Sequence, residues 1–249
     1  MKHLMLICAI ILGLTLGRSL AQGDQPSYKA FLAEKGYKEL WKKDVEEKIN
    51  AGKNEPASKQ AKLNLMVSHL GLLSSTMRDK DEDLFDDYYD DAVDNLELII
   101  DKDKKWAEPK AMLSAIYGLK MGYSPMQGMF LGSKSGSLID KAKDLAPQSA
   151  MVWKVYANSK FFTPEMWGGD LKEAIEAYEK CMQLYESKPE LLKYNWMYLD
   201  ALAFMGQAYL KNGDTGKAIA AYEKALKYEP EFGWVKYALL PEAKAKPNK

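Results

Sequence analysis

The sequence has no excess of charge of either sign. Its 249 residues include 35 Lys and Arg against 35 Asp and Glu, so the formal net charge is zero. Proteins that bind nucleic acids through the phosphate backbone usually carry a basic stripe, so this balance argues against a nucleic-acid partner. Hydrophobic residues make up 47% and aromatic residues 11% of the chain, which is typical of a globular domain rather than a disordered or fibrous protein.

Long apolar runs are missing outside the N-terminus. Lys2 and His3 precede an apolar run at positions 4–16, and the small residues Ser19 and Ala21 lie three before and immediately before a cleavage point. This order is typical of a secretory signal peptide. A retained membrane anchor would need about 20 apolar residues. We therefore expect cleavage after Ala21, a periplasmic or secreted protein, and no transmembrane segment in the remaining chain.

Cysteine and histidine are scarce, with two of each. Removal of residues 1–21 leaves Cys181 and His69 alone. A single cysteine cannot form an internal disulfide, so we expect the apolar core alone to stabilise residues 22–249. Zinc sites built from Cys and His need three or four such ligands, which this chain cannot supply. Cys181 falls on the apolar face of a predicted helix, where we interpret it as a buried small side chain rather than a reactive thiol.

The clearest pattern in the chain is a pair of helices near its C-terminal end. Four residues define one face of the first helix and three define the second: Leu202, Met205, Gly206 and Tyr209, then Ala218, Tyr222 and Ala225. Residues 212–214 form a turn between them, and Pro230 ends the second helix. Because Gly206 and Ala218 are small, we expect the two helices to approach closely there, with Tyr222 filling the adjacent space.

This spacing resembles the tetratricopeptide repeat. The signature of that family is a large apolar residue, then Leu-Gly, Tyr, Ala, an aromatic residue, Ala and Pro over about 34 residues. Every position is filled acceptably here, with Leu202 where the family often has Trp. The resemblance implies a right-handed superhelix of antiparallel helix pairs. It also implies a non-enzymatic scaffold whose concave groove, lined by the first helices, binds a segment of another protein.

Weaker copies of the pattern precede the last repeat. Further helix pairs are expected at residues 57–101, 107–147 and 149–181, so that about four pairs fit the length of the chain. In the pair at residues 107–147, Ala115 and Gly118 are the expected sites of close packing.

Two insertions interrupt the repeats, at residues 122–136 and 162–169. Both contain Pro, Gly and large apolar side chains where polar turn residues would suffice, so we expect loops between helices there. Phe130 and Trp167 are candidate anchors for a partner or ligand. The alternative is that these loops fold back over the superhelix and shield its core.

The predicted fold class is all-α, a right-handed superhelix of about four antiparallel helix pairs. No run alternates long enough to indicate a sheet. Repeat stacks also need atypical terminal helices to cover their exposed apolar ends. The expected organisation is a signal peptide at residues 1–21, an N-terminal capping helix (at 28–49) and linker within 22–56, a repeat domain at 57–230, and a C-terminal capping helix and tail at 231–249.

Two segments resemble ligand-binding loops only in part. The acidic stretch at residues 79–94 matches several positions of a calcium-loop template, but Leu84 lies where Gly is needed and the last ligand is Asp instead of Glu. We interpret these acids as the start and the solvated side of a helix, whose dipole they complement. Residues 128–135 depart from the phosphate-binding loop in spacing and follow no strand. We expect a loop there, with Ser135 or Ser137 capping the next helix.

Catalytic motifs are absent from the sequence. It contains no Ser-x-x-Lys, no Gly-x-Ser-x-Gly and no His-Glu-x-x-His. His69 lies in an apolar segment, and no nucleophile can be named as its partner, so we interpret it as a packed or surface histidine. We expect no enzymatic activity, no metal and no cofactor.

The resemblance also implies where a partner would bind. Groove positions would include Lys154 and Asn158 of one repeat and Asp200, Ala203 and Gln207 of the next. This set lacks the paired Lys and Asn cluster with which some family members clamp a C-terminal carboxylate. We therefore predict an exported scaffold for a protein partner, whose identity and whose oligomeric state the sequence does not assign.

Two alternatives remain open at this stage. A solute-binding or transport-accessory protein would hold a small ligand with the loops of Phe130 and Trp167, above a closed apolar cavity. A hydrolase on a helical scaffold would show carboxylates that converge in a deep cleft.

Overall fold

The computed structural model describes residues 24–54 and 57–246, which form helices and turns without a β-strand. The all-α prediction is confirmed. The signal peptide expected at residues 1–21 lies outside the described residues. The described helices, in chain order, are α1 (Gln25–Leu32), α2 (Tyr37–Asn54), α3 (Lys59–Thr76), α4 (Glu82–Lys102), α5 (Ala107–Tyr123), α6 (Gly128–Leu145), α7 (Ala150–Phe162), α8 (Leu171–Glu186), α9 (Trp196–Asn212), α10 (Thr215–Tyr228) and α11 (Leu240–Ala245).

Four helix pairs stack one on the next. The pairs are α3 with α4, α5 with α6, α7 with α8, and α9 with α10, and each packs against its neighbours along the chain. The predicted solenoid of four pairs is therefore confirmed. Its buried side chains form an N-terminal and a C-terminal core, and Ala115, Tyr28 and Phe31 pack against both.

The last pair has the close approach that the sequence predicts. A Cβ atom on Gly206 would lie 2.3 Å from the ring of Tyr222, so only glycine fits between the two helices. Gly213 ends α9 with φ at +91°, in the left-handed region that favours glycine. Ala218 and Cys181 are fully buried, as expected.

Gly118 does not serve as a close-packing site, and that prediction is wrong. It is exposed, and an added Cβ would meet nothing within 4 Å. The contact between α5 and α6 is made instead by Ser114 and Ser135, whose hydroxyl oxygens lie 2.9 Å apart. The close approach therefore falls one helical turn before the position that the sequence suggested.

The insertion at residues 122–136 is mostly helical, contrary to the expected loop. A 3₁₀ turn at Pro125–Gln127 leads directly into α6. Neither Ser135 nor Ser137 caps that helix, since Ser135 is buried inside it. Leu131, Ile139 and the buried serine share one face at helical spacing, and packing of this face extends the helix back to Gly128.

The N-terminal cap consists of two helices rather than the single one expected at residues 28–49. Gly36, with φ at +64°, separates α1 from α2. Asp24 caps the first helix by accepting a hydrogen bond from the Ser27 amide, and α2 packs against α3. Trp41 of α2 lies over Gly71, where an added Cβ would be 2.2 Å from its ring.

The acidic segment behaves as a helix start. Asp81 accepts a hydrogen bond from the Leu84 amide and so caps α4. Lys38 lies 2.6 Å from Asp79 and 2.5 Å from Asp81. The acids further along α4 that were expected to be solvated are exposed: Asp86, Asp87, Asp90, Asp91 and Asp94.

The segment after α10 packs against the last repeat. Phe232 is buried, a π-helical turn spans Val235–Leu239, and α11 completes the segment. The buried side chains of Val235, Leu239 and Ala243 belong to the C-terminal core, so the segment covers the end of the last repeat.

Candidate functional site

The groove is defined here as the face of α7 and α9 that carries Lys154, Asn158, Asp200 and Gln207. The structure brings two of these residues together. Lys154 Nζ lies 2.7 Å from Asp200 Oδ2, and only 5% and 12% of the two side chains are exposed. The pair links α7 to α9, and each charge already has its partner. A ligand would have to break this ion pair in order to use either side chain.

The two amide residues of the groove are partly exposed. Asn158 accepts a hydrogen bond of 2.7 Å from the hydroxyl of Tyr178, which fixes its oxygen. Gln207 lies further along α9, and its Nε2 is enclosed and finds no acceptor among the described residues. Ala203, between the two repeats, is fully buried. Of the predicted groove positions, Asn158 and Gln207 are thus the ones with exposed surface.

The N-terminal helices cover the beginning of α9. The ring of Trp196 lies 5.4 Å from Phe31 of α1 and 5.6 Å from Trp41 of α2. It also lies 5.5 Å from Lys154 Nζ. Trp196 packs in the N-terminal core although it belongs to the last repeat. The helices α1 and α2 therefore cover Trp196, which lies next to the Lys154–Asp200 pair.

A row of aromatic rings crosses the part of the groove that remains open. We call it the aromatic ladder, and its members are Phe162, Phe204, Trp234 and Phe232. Successive ring centroids lie 5.1, 5.5 and 6.4 Å apart. Phe162 is 58% and Trp234 38% exposed, whereas Phe232 is buried. Phe204 shares a face of α9 with Asp200 and Gln207, since these residues lie four and three positions from it. The ladder joins α7, α9 and the C-terminal cap.

A second exposed apolar surface lies at the tips of two hairpins. We call it the tip patch, and it contains Met126, Met129, Phe130, Met166 and Trp167, which are between 57% and 87% exposed. The two tips are neighbours, because a Cβ atom on Gly128 would lie 3.8 Å from the Trp167 ring. Phe130 lies in the first turn of α6, and Trp167 in a 3₁₀ turn at Glu165–Trp167. Neither ring folds back over the core.

Two segments of the chain match family models, both described as tetratricopeptide repeat, at residues 199–232 and 168–188. These two segments are similar in sequence to the tetratricopeptide repeat. The first match covers α9 from Leu199 onward, α10 and the start of the C-terminal cap, and the second covers all of α8. No curated protein matches the sequence at a significant level.

Three solved structures align with this chain. A thermophilic TPR protein of Thermus thermophilus aligns with a TM-score of 0.58 at 13% identity, covering 84% of this chain and 92% of that one. The MamA protein aligns with a TM-score of 0.39 at 19% identity, covering 81% and 96%. BtubC from P. vanneervenii aligns with a TM-score of 0.42 at 15% identity, covering 84% and 85%. The first likeness shows a shared fold.

The sequence analysis did not predict Phe204 and Trp234 as groove residues. Phe204 lies directly after Ala203, a position that the repeat register assigns to the groove. Trp234 belongs to the C-terminal cap, which the sequence predicts only as a cover for the last repeat. The sequence did contain a signal for them. Phe161, Phe162 and Phe204 are large aromatic residues on the first helices of two repeats, where most of the predicted groove positions are polar.

The cysteine and the histidine of the repeats, Cys181 and His69, are both buried. Burial raises the pKa of the Cys181 thiol, which therefore stays protonated at neutral pH. Burial also lowers the pKa of His69 to about 4, and neither ring nitrogen has a hydrogen-bond partner among the described residues. Of the packed and surface positions that the sequence left open for His69, the structure shows the packed one. In the part of the chain that the structure describes, no three Asp, Glu, His or Cys residues converge as metal ligands.

A cleft lies away from the tip patch. Its volume is about 500 Å³, and it is lined mainly by the α6–α7 and α8–α9 connections, including Leu145, Ser149, Tyr185 and Asn195.

Among the described helices, none combines the length and apolarity that a bilayer span requires.

Proposed function

We propose that this tetratricopeptide repeat protein is an exported, non-enzymatic scaffold that binds a segment of a partner protein along the open part of its groove. The aromatic ladder is the observation that carries the proposal. Phe162 and Trp234 leave large apolar surfaces in solvent, and Phe204 connects them across two repeats. Large aromatic side chains of this kind are the usual anchors of protein interfaces.

The polar surroundings of the ladder also suit a protein partner. Asn158 and Gln207 are partly exposed polar residues one helical turn from Phe162 and Phe204. Lys211 Nζ lies 5.6 Å from the centroid of Phe161, and this lysine makes no ion pair among the described residues. An apolar centre with a polar margin is the general anatomy of a protein interface. The buried Lys154–Asp200 pair then serves to join α7 to α9 under the groove, rather than to contact the partner.

Export is the second part of the proposal. It rests on the charged start, the apolar run and the small residues before position 22, which together are typical of a signal peptide. Expression of the full chain in a bacterium, followed by N-terminal sequencing of the protein from the periplasm or medium, tests it. We expect Gln22 as the first residue. Recovery of the protein with Met1 or Lys2 at its start would contradict export by this route.

The groove is tested with residues 22–249 as bait in an envelope extract. The bait carries a photo-crosslinking residue beside the ladder, and the captured peptides are identified by mass spectrometry. We expect a crosslinked partner segment that is lost with Phe162→Ala, and also with Asn158→Lys together with Gln207→Lys. Phe130→Ala is the matched control, because its ring is similarly exposed but lies in the tip patch. Capture that persists in both groove variants would contradict the proposal.

A small-ligand role for the tip patch is the less favoured candidate. Ligand sites enclose most of a small molecule's surface. Phe130 and Trp167 instead project outward, at 71% and 57% exposure, and the cleft of about 500 Å³ is not lined by either residue. The patch has the apolar, methionine-rich character of adaptable protein-binding surfaces. Retained capture by Phe162→Ala but lost capture by Phe130→Ala would move the partner site to this patch.

A further inference from the structure

The tip patch rests on turns that backbone hydrogen bonds close. In the tip between α7 and α8, the amides of Trp167 and Gly169 both donate to the Pro164 carbonyl oxygen, at 2.8 and 3.1 Å. A Cβ atom on Gly169 would lie 1.7 Å from the Thr163 carbonyl oxygen, so only glycine fits there. Gly168 has φ at +96°, in the region that favours glycine. The sequence of this tip therefore specifies one backbone geometry.

The tip between α5 and α6 is ordered in a similar way. Pro125 begins its 3₁₀ turn, in which the Gln127 amide donates to the Ser124 carbonyl oxygen at 2.9 Å. The turn leads directly into α6, whose first turn carries Met129 and Phe130. Because backbone hydrogen bonds hold both tips, a partner that binds their side chains has little backbone to order.

The tip patch is nearly as large as one half of a stable protein interface. Its five side chains are 57% to 87% exposed: Met126, Met129, Phe130, Met166 and Trp167. Large side chains bury about 150–250 Å² each when they are enclosed, so the patch offers about 700 Å² to a partner. This exceeds the largest apolar patch of a typical monomer, about 300–600 Å². A standard interface buries about 800 Å² on each side, so two such patches supply nearly what a stable dimer needs.

The charges beside the patch are balanced. The two insertions, residues 122–136 and 162–169, contain one lysine and one glutamate, Lys134 and Glu165. Both residues are exposed, and neither makes an ion pair among the described residues. Lys134 lies one helical turn after Phe130 and so beside the patch. An anionic membrane surface would favour an excess of basic residues, whereas a second copy of this surface offers each charge an opposite one.

We propose that the tip patch is the interface of a homodimer. In this dimer the α5–α6 tip of one copy packs on the α7–α8 tip of the other. A two-fold axis that passes between the tips produces this contact twice, as in the isologous interfaces of most dimers. Lys134 of each copy then lies beside Glu165 of the other. The inference does not depend on the proposed groove function, because it uses no residue of the aromatic ladder.

Sedimentation velocity of residues 22–249 at about 1 to 100 μM tests the inference. Since the interface is slightly smaller than the standard size, we expect the mass to rise from one copy to two within this range. Phe130→Ala should weaken dimerisation about tenfold through loss of an aromatic anchor. Tyr237→Ala is the matched control, because its ring is 66% exposed but lies in the C-terminal cap. It should leave dimerisation unchanged.

Thermal unfolding controls for the fold of these variants. The Phe130 ring is 71% exposed, so its removal should change the unfolding temperature of the monomer little.

Charge reversal tests the pairing of the two tips. Lys134→Glu should weaken dimerisation about threefold, because acidic side chains of the two copies then meet. Addition of Glu165→Lys should restore it, since each charge again faces its opposite. Such restoration is expected only if the two residues meet across the interface. Dimerisation that Lys134→Glu leaves unchanged would contradict this pairing.

Two other outcomes would overturn the inference. One is a protein that remains monomeric at about 100 μM, and the other is a dimer that Phe130→Ala leaves intact. Cosedimentation with vesicles of phosphatidylcholine and phosphatidylglycerol identifies the other occupant of an apolar tip. A monomer that binds these vesicles, and loses them with Phe130→Ala, would make the patch a membrane anchor instead of a dimer interface.

Discussion

At the scale of single residues, two glycines in equivalent helices have opposite roles. Gly206 lies against the Tyr222 ring, where an added Cβ would be only 2.3 Å away, whereas Gly118 faces open space. Gly206→Ala should lower the free energy of unfolding by about 1–3 kcal/mol, because the overpacked contact forces α9 and α10 apart. Urea denaturation monitored by circular dichroism measures this loss.

Gly118→Ala is the matched control for that experiment. The same added methyl group meets nothing within 4 Å, and alanine loses less conformational freedom in a helix. It should raise the free energy of unfolding by about 0.5–1 kcal/mol. Destabilisation of similar size in both variants would show that backbone effects, and not the Tyr222 contact, determine the result.

His69 makes stability depend on pH. Burial lowers the pKa of its imidazole to about 4 in the folded chain, while Asp91 acts in the opposite direction. An unfolded histidine has a pKa of about 6.5. The unfolded chain therefore binds a proton first, so that stability is fully present above pH 6.5 and declines as the pH falls from about 6.5 to about 4.

The size of this decline follows from the pKa difference. At pH 5 the histidine should cost about 2 kcal/mol of unfolding free energy relative to pH 7. His69→Leu removes the titrating group, so its stability should change less over the same interval. Urea denaturation of both proteins at pH 7 and pH 5 tests this. Parallel pH profiles would contradict a buried neutral histidine.

At the scale of elements, the Lys154–Asp200 pair connects α7 and α9 within the core. Its atoms lie 2.7 Å apart and are almost inaccessible. Lys154→Met or Asp200→Leu alone leaves an uncompensated buried charge, which should cost about 3–5 kcal/mol. The double variant should recover much of that loss, since apolar replacements of both partners are often neutral. A double-mutant cycle in urea measures the coupling, and additive single losses would contradict it.

Helix pairs with a strict local signature could be predicted from the sequence. In α9 and α10 the small residues, the Gly213 turn and Pro230 all lie near each other in the chain, so local spacing determines the geometry. The start of α6 could not be predicted in this way. Its Gly- and Ser-rich sequence is typical of a loop, and the helix forms because Leu131 and Ser135 pack against α5 and its neighbours.

The candidate site was predictable only in part, for a similar reason. The repeat register located Lys154 and Asp200 on adjacent first helices, and this placed them close enough to interact. The neighbouring Trp196 is covered by Phe31 and Trp41, more than a hundred residues earlier in the chain. No local pattern encodes that contact, so an open groove was the natural expectation from the repeats alone.

At the scale of the whole molecule, the two ends of the array are in contact. In a linear repeat protein each unit touches only its neighbours, and stability is a sum of local terms. Here Tyr28 donates to Glu229, 201 positions away, and Phe31 packs on Trp196 and Phe232. Opening of the N-terminal helix should therefore also expose the last repeat and the C-terminal cap.

Phe31→Ala tests this coupling by hydrogen–deuterium exchange. Loss of a partly buried ring should lower the protection of α1 by about 2 kcal/mol, less than the roughly 3–5 kcal/mol of a fully buried phenylalanine. If the ends are coupled, residues 229–239 and the first turn of α9 should lose protection together with α1, while α5 and α6 keep theirs. Phe130→Ala, in the tip patch, should change neither end. Faster exchange confined to α1 and α2 would mean that the array behaves as a linear stack. The contact of α1 with the last repeat would then not stabilise that repeat.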